Sequence, residues 1–179
     1  TFFDSQVRLG GGPLDWANGM NRDLARSTLA EQFATAFIAR LDPTRNEICY
    51  VTAGHDAPIL IKANQPPAAL EGRGFMLGIA EEMPFSIHTH PFEPGDRLVL
   101  FTDGLVEVER EDRTFLGENG LLEFCASLPD SEETAAGLLL QLVKDHNAPM
   151  PFVDDVTLVI LDRLAQDIPP GEARDVMPV

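Results

Sequence analysis

The 179-residue chain is long enough to bury the core of one globular domain, and 44% of its residues are hydrophobic. Its 13 basic and 29 acidic residues give a formal net charge of −16. This charge argues against nucleic acid and anionic membranes as partners, because binding to phosphate groups needs a basic patch. The longest apolar run is far shorter than a membrane span, and no basic-then-apolar secretory segment opens the sequence.

The two cysteines, Cys49 and Cys125, lie in apolar contexts and lack the spacing of metal ligands. We expect two buried free thiols in the reducing environment of the cytoplasm.

The first part of the chain predicts a helix followed by a β-hairpin. Apolar residues recur at helical spacing from Leu14 to about Arg26, with Asn21 off the apolar stripe. Residues 31–41 suit a strand, and residues 42–46 have the composition of a turn. Residues 47–53 form a second predicted strand, so the pair makes an antiparallel hairpin.

The middle of the chain predicts three more strands. Residues 57–61 form one of them, residues 64–74 are a loop rich in Pro and Gly, and residues 85–92 begin with apolar and polar alternation. A turn then leads into the most apolar strand, residues 97–102.

The last part of the chain predicts two helices and a final strand. Residues 118–128 look helical, and Ser131 is the predicted N-cap of a second helix that ends near His146. The final strand covers residues 156–161. The order of these elements predicts an α+β fold with a largely antiparallel sheet.

Two of the predicted strands carry acids at one end. The strand that starts at Arg97 ends on Thr102, Asp103 and Gly104, while Asp154 and Asp155 come just before the final strand. Two core strands of this kind could bring the carboxylates together on a rigid scaffold. Taken alone, Asp-Gly is better explained as a turn signal, and the acid pair could likewise be a solvated turn.

Four motifs occur in one order along the chain: Tyr50-Val51-Thr52-Ala53-Gly54-His55-Asp56-Ala57-Pro58, Leu77-Gly78-Ile79, Pro94-Gly95-Asp96-Arg97-Leu98-Val99-Leu100-Phe101-Thr102-Asp103-Gly104 and Asp154-Asp155-Val156-Thr157-Leu158. Together they resemble the SpoIIE/RsbU-type branch of the metal-dependent protein Ser/Thr phosphatases, the PPM superfamily. The resemblance covers residues 14–161, and it includes the helix that carries Met20 to Leu24.

The resemblance implies an α/β/β/α sandwich of two mainly antiparallel sheets flanked by helices. It also implies a site for two Mn²⁺ or Mg²⁺ ions, where a metal-activated water attacks the phosphorus of phosphoserine or phosphothreonine. The implied partner is a phosphorylated anti-sigma-factor antagonist of the STAS fold, in a bacterial partner-switching pathway in the cytoplasm. An upstream sensor or receiver domain is the implied regulator. The resemblance does not decide whether the protein forms a homodimer.

The resemblance assigns three metal ligands. Asp103 matches the metal-binding aspartate of the Thr-Asp-Gly motif, and Asp154 matches that of the final motif. Asp155 stands where many relatives have Asn. The residue types fit, since hard divalent cations prefer carboxylate oxygen. It assigns no catalytic residue beyond the metal ligands and no other cofactor-binding residue.

The sequence departs from the family at its start, because two N-terminal motifs that each supply a metal-binding Asp are absent. We expect residues 1–164 to be the phosphatase domain without its N-terminal part and residues 165–179 to be a polar, Pro-rich tail. The first residue is Thr1, which favours a C-terminal fragment of a phosphatase. The alternative is a pseudo-phosphatase that acts as a protein-binding adaptor; a plain structural fragment would explain the strands but not the ordered motifs.

Several other polar residues have simpler explanations. His55 could act as a general acid, but the family places it in a structural turn. His88 and His90 share a face of one strand, and we expect surface positions on an edge strand. Glu107 is expected in a solvated acidic stretch, and Trp16 in the core or an interface.

Overall fold

The computed structural model describes residues 8, 11–27, 33–109, 113–129, 135–147, 152 and 154–164. Within these residues no helix is both long enough and apolar enough to cross a membrane. The helices are α1 (Pro13–Ser27), α2 (Gly117–Ala126) and α3 (Ala135–Asn147), with a short 3₁₀ helix at Asp103–Leu105. The strands are β1 (Ala36–Asp42), β2 (Glu47–Ala53), β3 (Ile59–Ile61), β4 (Ala68–Ala69), β5 (His88–Pro91), β6 (Arg97–Phe101) and β7 (Leu158–Asp162).

The strands form two antiparallel sheets, which confirms the predicted sandwich. One sheet has the order β1-β2-β5, and the other has the order β4-β3-β6-β7. The predicted hairpin is β1-β2, paired from Ala36 opposite Ala53 to Asp42 opposite Glu47. In the second sheet, β6 lies between β3 and β7, with Val99 opposite both Ile59 and Ile160.

The two sheets pack face to face, and helices cover their outer faces. Tyr50 of β2 and Leu98 of β6 belong to one buried cluster, so it fills the layer between the sheets. Trp16 of α1 packs in a cluster with Ile38 and Val51 of the first sheet, as expected for a core residue. A third cluster joins α2 and α3 to the outer face of the second sheet; its fully buried members include Val99, Leu121, Leu139 and Val143.

Some strand bounds predicted from the alternation of apolar residues differ from those in the structure. The predicted strand at residues 85–92 is a strand only from His88 to Pro91, although Phe85 is buried against α1 and the first sheet. The predicted loop at residues 64–74 contains β4, a two-residue strand that pairs with β3. Tertiary packing decides the state of such short segments.

The prediction that Asn21 lies off the buried stripe of α1 is wrong. It is only 1% exposed. Its Nδ2 donates to the carbonyl oxygens of Ala80 at 2.8 Å and Glu81 at 3.0 Å, and its Oδ1 accepts from the amide of Gly78 at 2.9 Å. The side chain is buried because it joins α1 to the Leu77-Gly78-Ile79 motif, where its polar groups are satisfied.

The prediction of two buried thiols is correct for Cys125 and wrong for Cys49. Both cysteines are free, and Cys125 is buried, but Cys49 in β2 is only partly buried. The predicted N-cap at Ser131, the first residues of the predicted strand at 31–41 and the tail at 165–179 lie outside the described residues.

Candidate active site at the ends of β6 and β7

Strand β6 delivers Asp103 from the core to the surface. The strand itself is largely buried, and the 3₁₀ helix that follows keeps Gly104 and Leu105 buried. Asp103 is exposed at the start of this turn, and one of its carboxylate oxygens accepts a hydrogen bond from the amide of Gly104 at 2.9 Å. Asp103 is therefore a turn residue, and it is also the residue that the family motif predicts as a metal ligand.

Thr102 connects this turn to the segment before β7. Its backbone amide donates to the carbonyl oxygen of Thr157 at 3.1 Å, which extends the β6-β7 ladder by one residue. Its hydroxyl accepts from the amide of Thr157 at 2.9 Å and donates to the carbonyl oxygen of Asp155 at 3.1 Å. One side chain thus fixes the backbone beside both predicted acid segments.

Gly104 makes the closest approach between the two segments. A Cβ atom at this position would lie 2.6 Å from the carbonyl oxygen of Asp155 and 3.3 Å from that of Asp154. Real Cβ atoms do not come this close to a backbone oxygen, so glycine is needed here for close packing. The structure therefore brings the Asp103 turn directly against the backbone of Asp154 and Asp155.

The acid pair itself lies at the surface. Asp154 and Asp155 are both exposed, and one carboxylate oxygen of Asp154 accepts from the amide of Asp155 at 2.7 Å. The remaining oxygen of Asp154 has no hydrogen-bond partner among the described residues. It is therefore available to a cation.

A small recess, which we call the acidic cleft, lies beside the Asp103 turn. It has a volume of about 230 Å³ and is lined by Thr35, Gly54, His55, Asp56, Thr102, Asp103 and Glu107. Asp154 and Asp155 do not line this recess, although the Asp103 turn that lines it contacts their backbone.

Asp56 and Glu107 are the acids that sequence reasoning did not assign to the site. Glu107 was expected to be simply solvated, and it is exposed, but it also lines the acidic cleft. Asp56 follows the Gly54-His55 pair between β2 and β3, and this acid at a strand connection was the available signal.

The pKa of Asp56 is raised, first by the partial burial of its carboxyl group and then by the negative charge of Asp103. The nearby charges of His55 and Arg73 act in the opposite direction. A carboxyl group whose pKa is raised by desolvation and by a like charge is a common feature of functional clefts.

The histidines follow the simpler expectations only in part. The Nδ1 atom of His55 lies 2.9 Å from the carbonyl oxygen of Asp56, so the ring closes a local turn at the lip of the acidic cleft. His88 and His90 lie on β5, which is at the edge of its sheet among the described strands, but both are partly buried, so the predicted surface positions are wrong. The ring of His88 stacks on Tyr50 at a centroid distance of 5.4 Å, so it serves packing.

The acids fit a divalent cation in type but not in number. Carboxylate oxygens suit Mg²⁺ and Mn²⁺, and Mg²⁺ commonly keeps several waters beside one or two carboxylates. Across the described parts of the chain, no group of three or more His, Cys, Asp or Glu side chains is arranged to hold a metal ion. Asp103, Asp154 and Asp155 would therefore supply only part of a ligand set.

A larger recess of about 540 Å³ lies where β3, β6 and β7 reach the opposite end of the second sheet. Four of its charged groups bind one another, since Lys62 pairs with Asp96 at 3.1 Å and Arg97 pairs with Asp162, while Arg163 binds Asn46. These pairs satisfy side chains that are mostly buried, as buried charges require. This end of the sheet therefore carries structural ion pairs, and the uncommitted acids lie at the other end.

Comparison with known families identifies the chain. The family model for Stage II sporulation protein E (SpoIIE) matches residues 1–164. The chain belongs to the SpoIIE family. A curated relative, the phosphoserine phosphatase RsbU of Bacillus subtilis, is 27% identical over 172 residues, which cover 89% of this chain and 48% of RsbU.

Solved structures share the fold of this SpoIIE-family chain. The SiaA-PP2C domain of Pseudomonas aeruginosa matches with a TM-score of 0.77 and 16% identity, covering 90% of this chain and 64% of that one. The RsbU and RsbW domains of Rv1364c from Mycobacterium tuberculosis match with a TM-score of 0.73 and 24% identity, covering 92% and 45%. The architecture is thus that of PP2C-type phosphatase domains, and the chain spans about half the length of RsbU.

Proposed function

We propose that this chain is part of a metal-dependent phosphatase that hydrolyses phosphoserine or phosphothreonine on a regulatory protein. The observation that carries the proposal is the contact of Gly104 with the backbone of Asp154 and Asp155, in a chain of the SpoIIE family. This contact supports the proposal, because it joins the turn that carries Asp103 to the backbone of the acid pair. The named activity of RsbU, a phosphoserine phosphatase, supports the same reaction class.

Asp103, Asp154 and Asp155 would supply carboxylate oxygens to Mn²⁺ or Mg²⁺, together with ligands beyond the described residues. When bound, such an ion lowers the pKa of a coordinated water and neutralises charge on phosphoryl oxygens. The part of this chain is to fix the ligands: Thr102 and Gly104 hold the two acid segments in register. Rigid placement of this kind lowers the cost of organising the site.

The proposed substrate is a phosphorylated anti-sigma-factor antagonist of the STAS fold, and the proposed setting is a partner-switching pathway in the bacterial cytoplasm. Regulation would come from a sensor or receiver domain. Family membership and the similarity to RsbU support these assignments. The net charge of −16 is consistent with a protein partner rather than a nucleic acid.

The alternative is an adaptor that keeps the sandwich and binds a partner without hydrolysis. One observation favours it: the described acids do not complete a metal site. The two functions differ in whether phosphate is released, so one assay separates them.

The test is hydrolysis of p-nitrophenyl phosphate and of a phosphoserine peptide by the full-length protein. We expect activity with Mn²⁺, loss of activity with EDTA, and recovery when Mn²⁺ is returned. Asp103→Asn and Asp154→Asn should each abolish turnover. Asp145→Asn is the matched control, because Asp145 is an exposed acid of α3 whose partner is Gln141. Phosphate release that survives both site substitutions would contradict the assignment, and no release from the wild type would favour the adaptor.

A further inference from the structure

A second recess adjoins the acidic cleft and contains a positive charge. We call it the arginine recess; it has a volume of about 310 Å³ and is lined by Gly54, His55, Asp56, Ala57, Arg73, Gly74 and Glu118. Gly54, His55 and Asp56 line both recesses, so the two are continuous around the Asp56 turn. Arg73 is the cation among the lining residues of the two recesses that is charged at all ordinary pH values.

The backbone that carries Arg73 is anchored to strands or strand ends of both sheets. Before it, the amide of Leu70 donates to the carbonyl oxygen of Pro58 at 2.8 Å, and the hydroxyl of Tyr50 donates to the carbonyl oxygen of Glu71 at 2.8 Å. After it, Gly74 passes so close to β2 that a Cβ atom there would lie 2.1 Å from the carbonyl oxygen of Thr52. The anchors on both sides fix where Arg73 leaves the loop.

The guanidinium group of Arg73 is uncommitted. Within the residues that the structure describes, it makes no hydrogen bond and no ion pair within 4 Å, and the residue is exposed. Other arginines are engaged: Arg26 binds Glu81, Arg97 binds Asp162, and Arg163 binds Asn46. Arg73 acts on Asp56 only through space.

The chemistry of this arrangement matches a phosphoryl group. A guanidinium group binds phosphate oxygens through paired hydrogen bonds, and it is preferred wherever a planar donor must recognise phosphate. A cleft lined by Asp56, Asp103 and Glu107 would repel a phosphate dianion unless positive charge stood next to it. Arg73 provides that charge from a fixed position at the shared wall.

We propose that Arg73 binds the phosphoryl group of the phosphomonoester substrate beside the acidic cleft. This inference rests on the proposed phosphatase function and adds a substrate-binding residue to it. The competing explanation is that Arg73 only offsets the charge of Asp56. That role depends on charge alone, so Arg73→Lys would then keep the wild-type affinity for phosphate, whereas the loss of paired hydrogen bonds to phosphate would weaken it.

The experiment compares the full-length wild type with Arg73→Ala, Arg73→Lys and Arg45→Ala in the presence of Mn²⁺. Arg45 is the matched control, since its side chain is 68% exposed and its ion-pair partner among the described residues is Glu47 at 3.1 Å. It lies in the β1-β2 turn, which is at the far end of the hairpin from Ala53. The measured quantities are KM and kcat for p-nitrophenyl phosphate and the inhibition constant for inorganic phosphate.

We expect Arg73→Ala to raise both KM and the phosphate inhibition constant by about 10-fold or more, the loss typical of a hydrogen bond to a charged group. Arg73→Lys should give a smaller loss, because lysine keeps the charge but not the paired geometry. Arg45→Ala should match the wild type. If Arg73→Ala also matches the wild type in KM and in phosphate inhibition, the inference is overturned while the proposed function stands.

Direct binding separates the two claims if the wild type shows no turnover. Inorganic phosphate is titrated into the Mg²⁺-loaded protein, because paramagnetic Mn²⁺ would broaden nearby signals, and the amide signals of Ala57 and Gly74 are followed by NMR. Phosphate-dependent shifts that Arg73→Ala removes and Arg45→Ala retains would support Arg73 as the phosphate ligand even though hydrolysis had failed. Absent shifts, or shifts unchanged in Arg73→Ala, would contradict it.

Discussion

Gly104 lies against the backbone of Asp155, with room for a hydrogen atom but not for a Cβ atom, which would come within 2.6 Å of the Asp155 carbonyl oxygen. The two residues come from motifs more than fifty positions apart in the sequence. Their contact is possible because β6 and β7 are neighbours, with Phe101 opposite Leu158. The site therefore depends on the strand register as well as on its acids.

Substitution of Gly104 by Ala should destabilise the protein and impair the site. The added methyl group must push the Asp103 turn away from Asp155, at a cost of about 1–3 kcal/mol. Urea unfolding measures this loss, and hydrolysis of p-nitrophenyl phosphate measures the effect on the site. Gly137→Ala is the control: nothing lies within 4 Å of its Cβ position in α3, so it should stabilise the helix by about 0.5–1 kcal/mol. Equal effects of the two substitutions would contradict the contact.

Loss of the Thr102 hydroxyl should loosen the segment before β7. Thr102→Val removes the bonds to the carbonyl oxygen of Asp155 and the amide of Thr157. We expect a loss of about 1 kcal/mol in the free energy of unfolding, because water can reach both groups. We also expect reduced turnover. Thr102→Ser keeps the hydroxyl and should retain most of both, so a Ser variant as impaired as the Val variant would argue against these bonds.

Asn21 should be the polar residue of α1 that matters most for folding. Asn21→Ala leaves the carbonyl oxygens of Ala80 and Glu81 and the amide of Gly78 without their partner, at a cost of about 1–3 kcal/mol or more. Asn18→Ala on the same helix should be neutral or slightly stabilising, because Ala has the higher helix propensity. Thermal unfolding of the two variants gives the comparison, and a similar midpoint for both would show that the bonds contribute little.

The two thiols should differ in reactivity. Burial raises the pKa of Cys125 to about 12, against a smaller opposite effect of Arg97. At pH 8 a disulfide reagent should therefore modify the partly buried Cys49 first, and Cys125 only as the protein unfolds. A Cys49→Ser variant isolates Cys125, and urea-unfolded protein provides the control in which both thiols react. Fast modification of Cys125 in the folded Cys49→Ser protein would contradict its burial.

The same shift predicts a dependence of stability on pH. Above about pH 9 the unfolded state loses the Cys125 proton while the folded state keeps it up to about pH 12. The unfolded state then binds fewer protons, so the free energy of unfolding falls as pH rises through this window. Cys125→Ala should show a weaker fall between pH 8 and pH 10 than the wild type. Parallel curves for the two proteins would contradict the shift.

The family resemblance carried by the motifs predicted the two-sheet sandwich, and the apolar run from Arg97 predicted Asp103 at the end of a buried strand. They did not predict that Asn21 is buried, because its partners are carbonyl and amide groups some sixty residues away. They also left out Asp56, which joins Asp103 only through the packing of the β2-β3 connection beside the β6 turn. Long-range backbone contacts of this kind leave no period in the sequence.

The site residues Asp103, Asp154 and Asp155 remain a prediction that binding of Mn²⁺ tests most directly. Electron paramagnetic resonance of free Mn²⁺ gives the affinity of the full-length protein, of Asp103→Asn, of Asp154→Asn and of the double variant. We expect each single substitution to weaken binding by about tenfold or more, a loss of about 1.4 kcal/mol. The double variant should lose less than the sum of the two losses, since both acids serve one site. Wild-type affinity in both single variants would contradict the account.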